Sequence, residues 1–119
     1  MRSSRSKWIP FGSVPEITAI ELWENIEAGE VQLIDVRTTK EWKISAIKGS
    51  KNISITQFTH EAVHALNFDK EKPVVAICLT AHRSIPAVRV LKEMGFKDAK
   101  QLQGGMTQWW IQKFPCSKN

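Results

Sequence analysis

The stretch Cys78-Leu79-Thr80-Ala81-His82-Arg83-Ser84 puts a thiol, four intervening residues and a guanidinium directly after the apolar run Val74-Val75-Ala76-Ile77. Such an unalternating, β-branched run reads as a strand at the centre of a parallel sheet. From Ser84 the pattern turns helical, so Cys78 is expected at a strand–loop–helix junction. A tight loop there turns several backbone N–H groups inward, and the helix adds the positive end of its dipole. With Arg83 and His82 nearby, each feature favours thiolate over thiol, and the Cys78 pKa is expected below its usual ~8.5. A thiolate inside a ring of N–H donors is a nucleophile beside an anion site. The competing reading of the same residues is a buried structural cysteine at a strand end, a common place for this residue.

Other residues invite other chemistries. His60-Glu61-Ala62-Val63-His64 matches the H-E-x-x-H pattern of zinc proteases. In a helix, however, His60 lies about 200° around from Phe58, away from the apolar positions 58, 62 and 66. The histidines are therefore expected on the solvent side, and no metal site is assigned. Cys116 follows Pro115 near the C-terminus and is expected to be a bystander thiol. Of five tryptophans, Trp23, Trp42 and Trp109 read as core or half-buried, whereas Trp8 and Trp110 are candidates for exposure.

The elements that must position Cys78 follow from periodicity. Thr18-Ala19-Ile20-Glu21 is a capping box before a helix whose apolar face is expected at Ile20, Trp23 and Ile26, with Gly29 as its stop. Residues 31–36 read as a mostly buried strand with Asp35 at its end, residues 39–43 as a short helix, and residues 52–55 as a brief strand. A helix is expected over residues 56–66, the central strand over 74–77, and a helix from Ser84 to Met94 ended by Gly95. Residues 99–102 form a short strand, Gly104-Gly105 a turn, and residues 106–112 a last helix. Strands alternating with helices imply an α/β fold, a parallel sheet covered on both faces. In such sheets ligands bind at the carboxyl ends of the strands, where Cys78 and Asp35 both fall.

Bulk properties narrow the classes further. The chain has 119 residues, 42% hydrophobic and 24% charged, enough for one core. No apolar run approaches the ~20 residues of a membrane span. Residues 1–13 carry Arg2, Arg5 and Lys7 with no apolar stretch behind them, so they read as a solvated basic leader rather than a signal peptide. Organelle import by this leader is left open. The net charge of +5 favours small anionic ligands or acidic partners in a general way. No nucleic-acid-binding motif accompanies it. Two cysteines are too few for a disulfide framework, which makes a reducing, cytoplasmic compartment the expectation.

Three motifs in order resemble those of rhodanese domains. Leu33-Ile34-Asp35-Val36-Arg37, Glu41-Trp42 and Ile47-Lys48-Gly49-Ser50-Lys51-Asn52-Ile53 look like the family's first signature. The Cys78 loop resembles its active-site loop, and Leu102-Gln103-Gly104-Gly105-Met106 through Trp109 its C-terminal signature. The resemblance spans residues 14–113, leaving 114–119 as a short tail. It implies an open parallel sheet of about five strands with helices on both faces. It also implies that Cys78 carries sulfur as a persulfide. Leu79, Thr80, Ala81, His82 and Arg83 would then form the substrate cradle, with Asp35, Arg37 and Ser84 supporting the loop. Within this superfamily, sulfurtransferases have four residues between Cys and Arg, and the related phosphatases and arsenate reductases have five. The four residues here favour sulfur transfer. No cofactor is implied; the partners implied are a small anionic or persulfide sulfur donor and a thiol or cyanide acceptor, which could reside on another protein.

Three positions depart from that pattern. Ala81 stands where the loop usually has glycine, and a positive φ there would cost an alanine sterically. Ser45-Ala46 replaces the usual Gly-His, away from the cradle. Leu79 and Thr80 are uncharged where some thiosulfate-using members carry a basic residue, which favours a donor of lower charge. A partner-binding module with little turnover is the second reading these departures allow, and a phosphatase or arsenate reductase the third.

Overall fold

The computed structural model describes residues 12–119; the basic leader and Trp8 lie outside the described residues, apart from Gly12 and Ser13. Among the described residues eleven elements follow one another: β1 (Glu16–Ile17), α1 (Ala19–Glu27), β2 (Gln32–Asp35), α2 (Thr39–Ile44), β3 (Lys51–Asn52), a 3-10 turn (Ile55–Gln57), α3 (His60–His64), β4 (Val74–Ile77), α4 (Ser84–Glu93), β5 (Ala99–Leu102) and α5 (Gly105–Ile111). The five strands pair in parallel in the order β1-β5-β4-β2-β3. This is the α/β sheet expected, and β4, the most apolar strand, is its centre.

The pleat divides the core in two. Ile34, Val74 and Ala76 point to one face and pack with Val63 of α3 and Ala87, Val88, Val90 and Leu91 of α4. Leu33, Val75 and Ile77 point to the other and pack with Leu22 of α1 and Met106 and Trp109 of α5. β4 is buried on both faces, which is why its sequence does not alternate. Side chains of both helical layers thus grip the strand that delivers Cys78.

Local differences from the sequence reading have local causes. β1 has no counterpart among the expected strands, because two residues at a sheet edge carry no periodicity. The α1 capping box is present in full, but the helix turns Ala19 and Leu22 inward and leaves Ile20 56% exposed. The buried face is thus turned away from Ile20, the first position of the expected stripe. The strand over 52–55 shortens to Lys51–Asn52, although Ile53 and Ile55 still donate to Asp35 and Val36 carbonyls. The helix over 56–66 is broken. Phe58 is extended and buried, and the Thr59 hydroxyl then caps a new helix by accepting from Ala62 N–H at 3.1 Å. A capping threonine competes with helix continuation. Both histidines of α3 are exposed, and His60 Nε2 lies 2.9 Å from Glu93 Oε1. Among the described residues no cluster of three His, Cys, Asp or Glu could hold a metal, and no helix is long and apolar enough to cross a membrane.

Residues 114–119 pack onto the domain. Phe114 joins Trp23 and Trp109 in an aromatic trio with centroids 4.9–6.3 Å apart. Ser117 bridges Ala46 in antiparallel fashion, and Asn119 N–H donates to Lys43.

Candidate active site

Cys78 leaves the C-terminal end of β4 and is buried. The chain then curls: Ala81 has φ +72°, in the left-handed region, and α4 starts immediately after Arg83. The turn brings the Arg83 N–H to 3.2 Å from Cys78 Sγ. Burial pushes the thiol pKa up, but hydrogen bonds from the backbone N–H groups of Thr80 and Arg83 and from the Arg83 guanidinium outweigh it. The net displacement is downward, towards thiolate. The Arg83 N-cap uses no side chain to satisfy the first turn of α4; Ile85 N–H goes to the His82 carbonyl and Pro86 has no N–H, so the Arg83 N–H is the amide that the turn presents to the sulfur.

Each residue expected in the cradle can now be placed. Leu79 is half-buried, Thr80 and His82 are exposed, and Ala81 is buried. Thr80 Oγ1 and His82 Nδ1 lie 3.0 Å apart. Arg83 turns its guanidinium to Glu41, with Nη1–Oε1 at 2.9 Å and Nη2–Oε2 at 3.2 Å. This two-bonded contact holds the Glu41 carboxyl down to about 2. The pair's contribution is therefore complete above the usual carboxylate range and is lost progressively as pH falls from that range to about 2. Ser84 Oγ is buried and donates to Gln101 Oε1 at 2.6 Å, and Gln101 Nε2 in turn donates to Glu16. The start of α4 is thereby tied to β5 and β1.

Asp35 and Arg37, expected to support the loop, bond to each other at the β2–α2 corner rather than to the loop itself. Both are buried, and the Arg37 guanidinium grips Asp35 with Nη2–Oδ2 at 2.8 Å while also donating to the Ser45 carbonyl. Arg37 N–H donates to Asp35 Oδ1 as well. These bonds fix the corner from β2 to α2. Glu41, whose carboxylate is capped on Thr38 at the start of α2, carries the contact on to Arg83.

The loop is also held from α5. Cys78 carbonyl accepts from Met106 N–H at 2.8 Å, and Leu79 carbonyl accepts from Thr107 N–H and Oγ1 at 3.1 and 2.9 Å. Gly105 makes this approach possible: it has φ +58°, and a Cβ there would collide with the carbonyl oxygens of Cys78 and Leu79. Glu41, Gln101, Gly105 and Thr107 were not singled out from sequence for these roles. The Thr38-x-x-Glu41 capping pattern was a signal for Glu41, but only of a helix start. Trp110 is 40% exposed and sits over Arg37, 5.8 Å from guanidinium carbon to ring centre. Cys116 is exposed on the tail.

Alanine at φ +72° is strained by about 1–2 kcal/mol. Ala81→Gly relieves the strain but loosens the unfolded chain. The expected net gain is about 0.5–1 kcal/mol, read from urea unfolding.

Comparison with known proteins agrees with this geometry. The rhodanese-like domain model matches residues 18–112. An HTH-type transcriptional regulator of Mycobacterium tuberculosis is 35% identical over 104 residues, 86% of this chain and 44% of its own length. The thiosulfate sulfurtransferase GlpE of Coxiella burnetii is 29% identical, over 79% of this chain and 85% of its own. The crystal structure of a rhodanese-related protein from Thermoplasma volcanium superposes with a TM-score of 0.77 at 26% identity, covering 89% of this chain and all of that one. The chain spans less than half the length of several curated relatives it matches, the regulator among them. A five-stranded parallel sheet, a thiol at the end of its central strand and a family match over most of the length lead to one assignment: the chain belongs to the rhodanese-like domain family.

Proposed function

We propose that this chain is a sulfurtransferase that carries sulfane sulfur on Cys78 as a persulfide. The observation that carries the reading is the Cys78 sulfur accepting the Arg83 N–H across a loop of four intervening residues. Such a ring stabilises a thiolate before reaction and a persulfide anion after it. The thiolate attacks the outer sulfur of a donor, the donor's S–S bond breaks, and the leaving group departs with the electron pair. A thiol or cyanide then takes the outer sulfur and regenerates the thiolate. No metal or organic cofactor enters these steps. The four-residue gap, one shorter than in the phosphatases this superfamily resembles, favours a sulfur donor over a tetrahedral phosphate.

The 35% identity to a transcriptional regulator supports a second reading, a regulatory module that binds a partner through the same loop. One experiment separates them. The protein is incubated with thiosulfate and, separately, with an alkyl persulfide, and its intact mass is measured. One added sulfur is expected on the wild type and none on Cys78→Ser. Absence of the adduct with both donors would overturn sulfur transfer and leave the regulatory module.

A further inference from the structure

Arg83 faces both a carboxylate and the thiol. Glu41 holds its guanidinium through two bonds, and the Cys78 sulfur accepts its backbone N–H at 3.2 Å. Its charge is committed before a donor arrives. Nor is the Glu41 carboxylate free to swing away. Thr38 N–H and Oγ1 hold its Oε1 at 2.9 and 3.0 Å where α2 begins, and both partners of the ion pair are only 32% exposed. A carboxylate anchored on its own helix is a standing counter-charge. Elsewhere in the cradle Leu79, Thr80 and Ala81 are uncharged, and the His82 ring is exposed with Nδ1 3.0 Å from the Thr80 hydroxyl.

We infer that Glu41 is a positioning residue that selects the sulfur donor by charge, cancelling Arg83 so that the ring takes alkyl persulfides in preference to the thiosulfate dianion. The inference rests on the sulfur-transfer reading. With an alkyl persulfide R–S–SH, the Cys78 thiolate attacks the outer sulfur and the S–S bond breaks. RS⁻ leaves with the electron pair, and the proton stays on the sulfur now bound to Cys78. With thiosulfate, the same attack expels sulfite as a dianion and leaves a persulfide anion. The second path brings two negative charges to a site whose guanidinium is already matched by Glu41, and the like-charge contact disfavours it.

Glu41→Gln isolates the charge, because glutamine serves equally at the third position of a capping box. In a Cys116→Ser background, alkylation of Cys78 by iodoacetate and by iodoacetamide compares two small reagents that differ by one charge. The iodoacetate-to-iodoacetamide rate ratio is expected to rise about fivefold or more in Glu41→Gln and to stay near wild type in Glu41→Asp. The thiosulfate-to-alkyl-persulfide ratio of kcat/KM should rise in the same variant. An unchanged alkylation ratio, or equal loss with both reagents, would make Glu41 purely structural and overturn the inference whatever the turnover. A raised alkylation ratio with an unchanged donor ratio would also overturn it. A raised alkylation ratio in Glu41→Gln beside a wild type that never gains a sulfur would overturn the sulfur-transfer reading, and the choice of donor with it.

Discussion

Gly105→Ala is expected to cost about 3 kcal/mol of stability and to slow the reaction of Cys78 with iodoacetamide by at least about tenfold. Two effects add at this position. Residue 105 has φ +58°, which alone strains an alanine by about 1–2 kcal/mol. The new methyl would also fall on the carbonyl oxygens of Cys78 and Leu79, backbone atoms that cannot rotate away. Relief means moving either α5 or the loop. Moving α5 drags the buried Met106 and Trp109 out of their packing, so the loop is the side that yields. Cys78 would then lose the Met106 N–H on its carbonyl and shift against the N–H groups that hold its sulfur. Gly104→Ala is the control. It carries the same kind of backbone strain, with φ +72°, but its methyl meets only the flexible Gln108 side chain. It should destabilise without slowing alkylation. Equal alkylation rates in the two variants would show that the close approach at Gly105 does not position the thiol.

The contrast between neighbouring glycines marks how far the sequence could be read. Periodicity and chain order sufficed for the parallel sheet, the central place of residues 74–77 and the position of Cys78, because a strand buried on both faces leaves an unalternating apolar run. They did not suffice for β1, whose two residues are made into a strand by β5 rather than by their own pattern. Phe58 and Thr59 show a second limit: the apolar spacing continued through them, and a single capping hydroxyl ended the helix. At the site, Cys78 and the loop residues to Ser84 were legible because they are contiguous. What braces them is not contiguous. Glu41 meets Arg83 across 42 positions, and Thr107 meets Leu79 across 28; such pairings exist only once the sheet has brought the strand ends together. Ala81 lay between these cases. Its departure from glycine could be seen in the sequence, but its positive φ is a property of the folded loop.

Asp35→Asn is expected to destabilise the protein by about 3 kcal/mol, because it removes one charge of a buried pair and leaves the other. Arg37 is 1% exposed and Asp35 fully buried. The guanidinium satisfies itself on the two carboxylate oxygens and on the Ser45 carbonyl, and at this depth it cannot turn to solvent when the charge is lost. Lys97 and Glu71 form the opposite case. Their 2.8 Å contact is about two-thirds exposed on both sides, so Glu71→Gln should change stability by no more than about 0.5 kcal/mol. Urea unfolding of both variants tests the difference burial makes. A double change, Asp35→Leu with Arg37→Met, should recover part of the loss, since it leaves no charge uncompensated. Full recovery is not expected, because Arg37 N–H also loses its acceptor on Asp35. The consequence for the site runs through α2. With the β2–α2 corner loosened, Glu41 no longer meets Arg83 from a fixed position, and Cys78 alkylation in Asp35→Asn should move in the direction of Glu41→Gln, towards the anionic reagent. A large loss of stability with an unchanged reagent ratio would confine Asp35 and Arg37 to holding the fold.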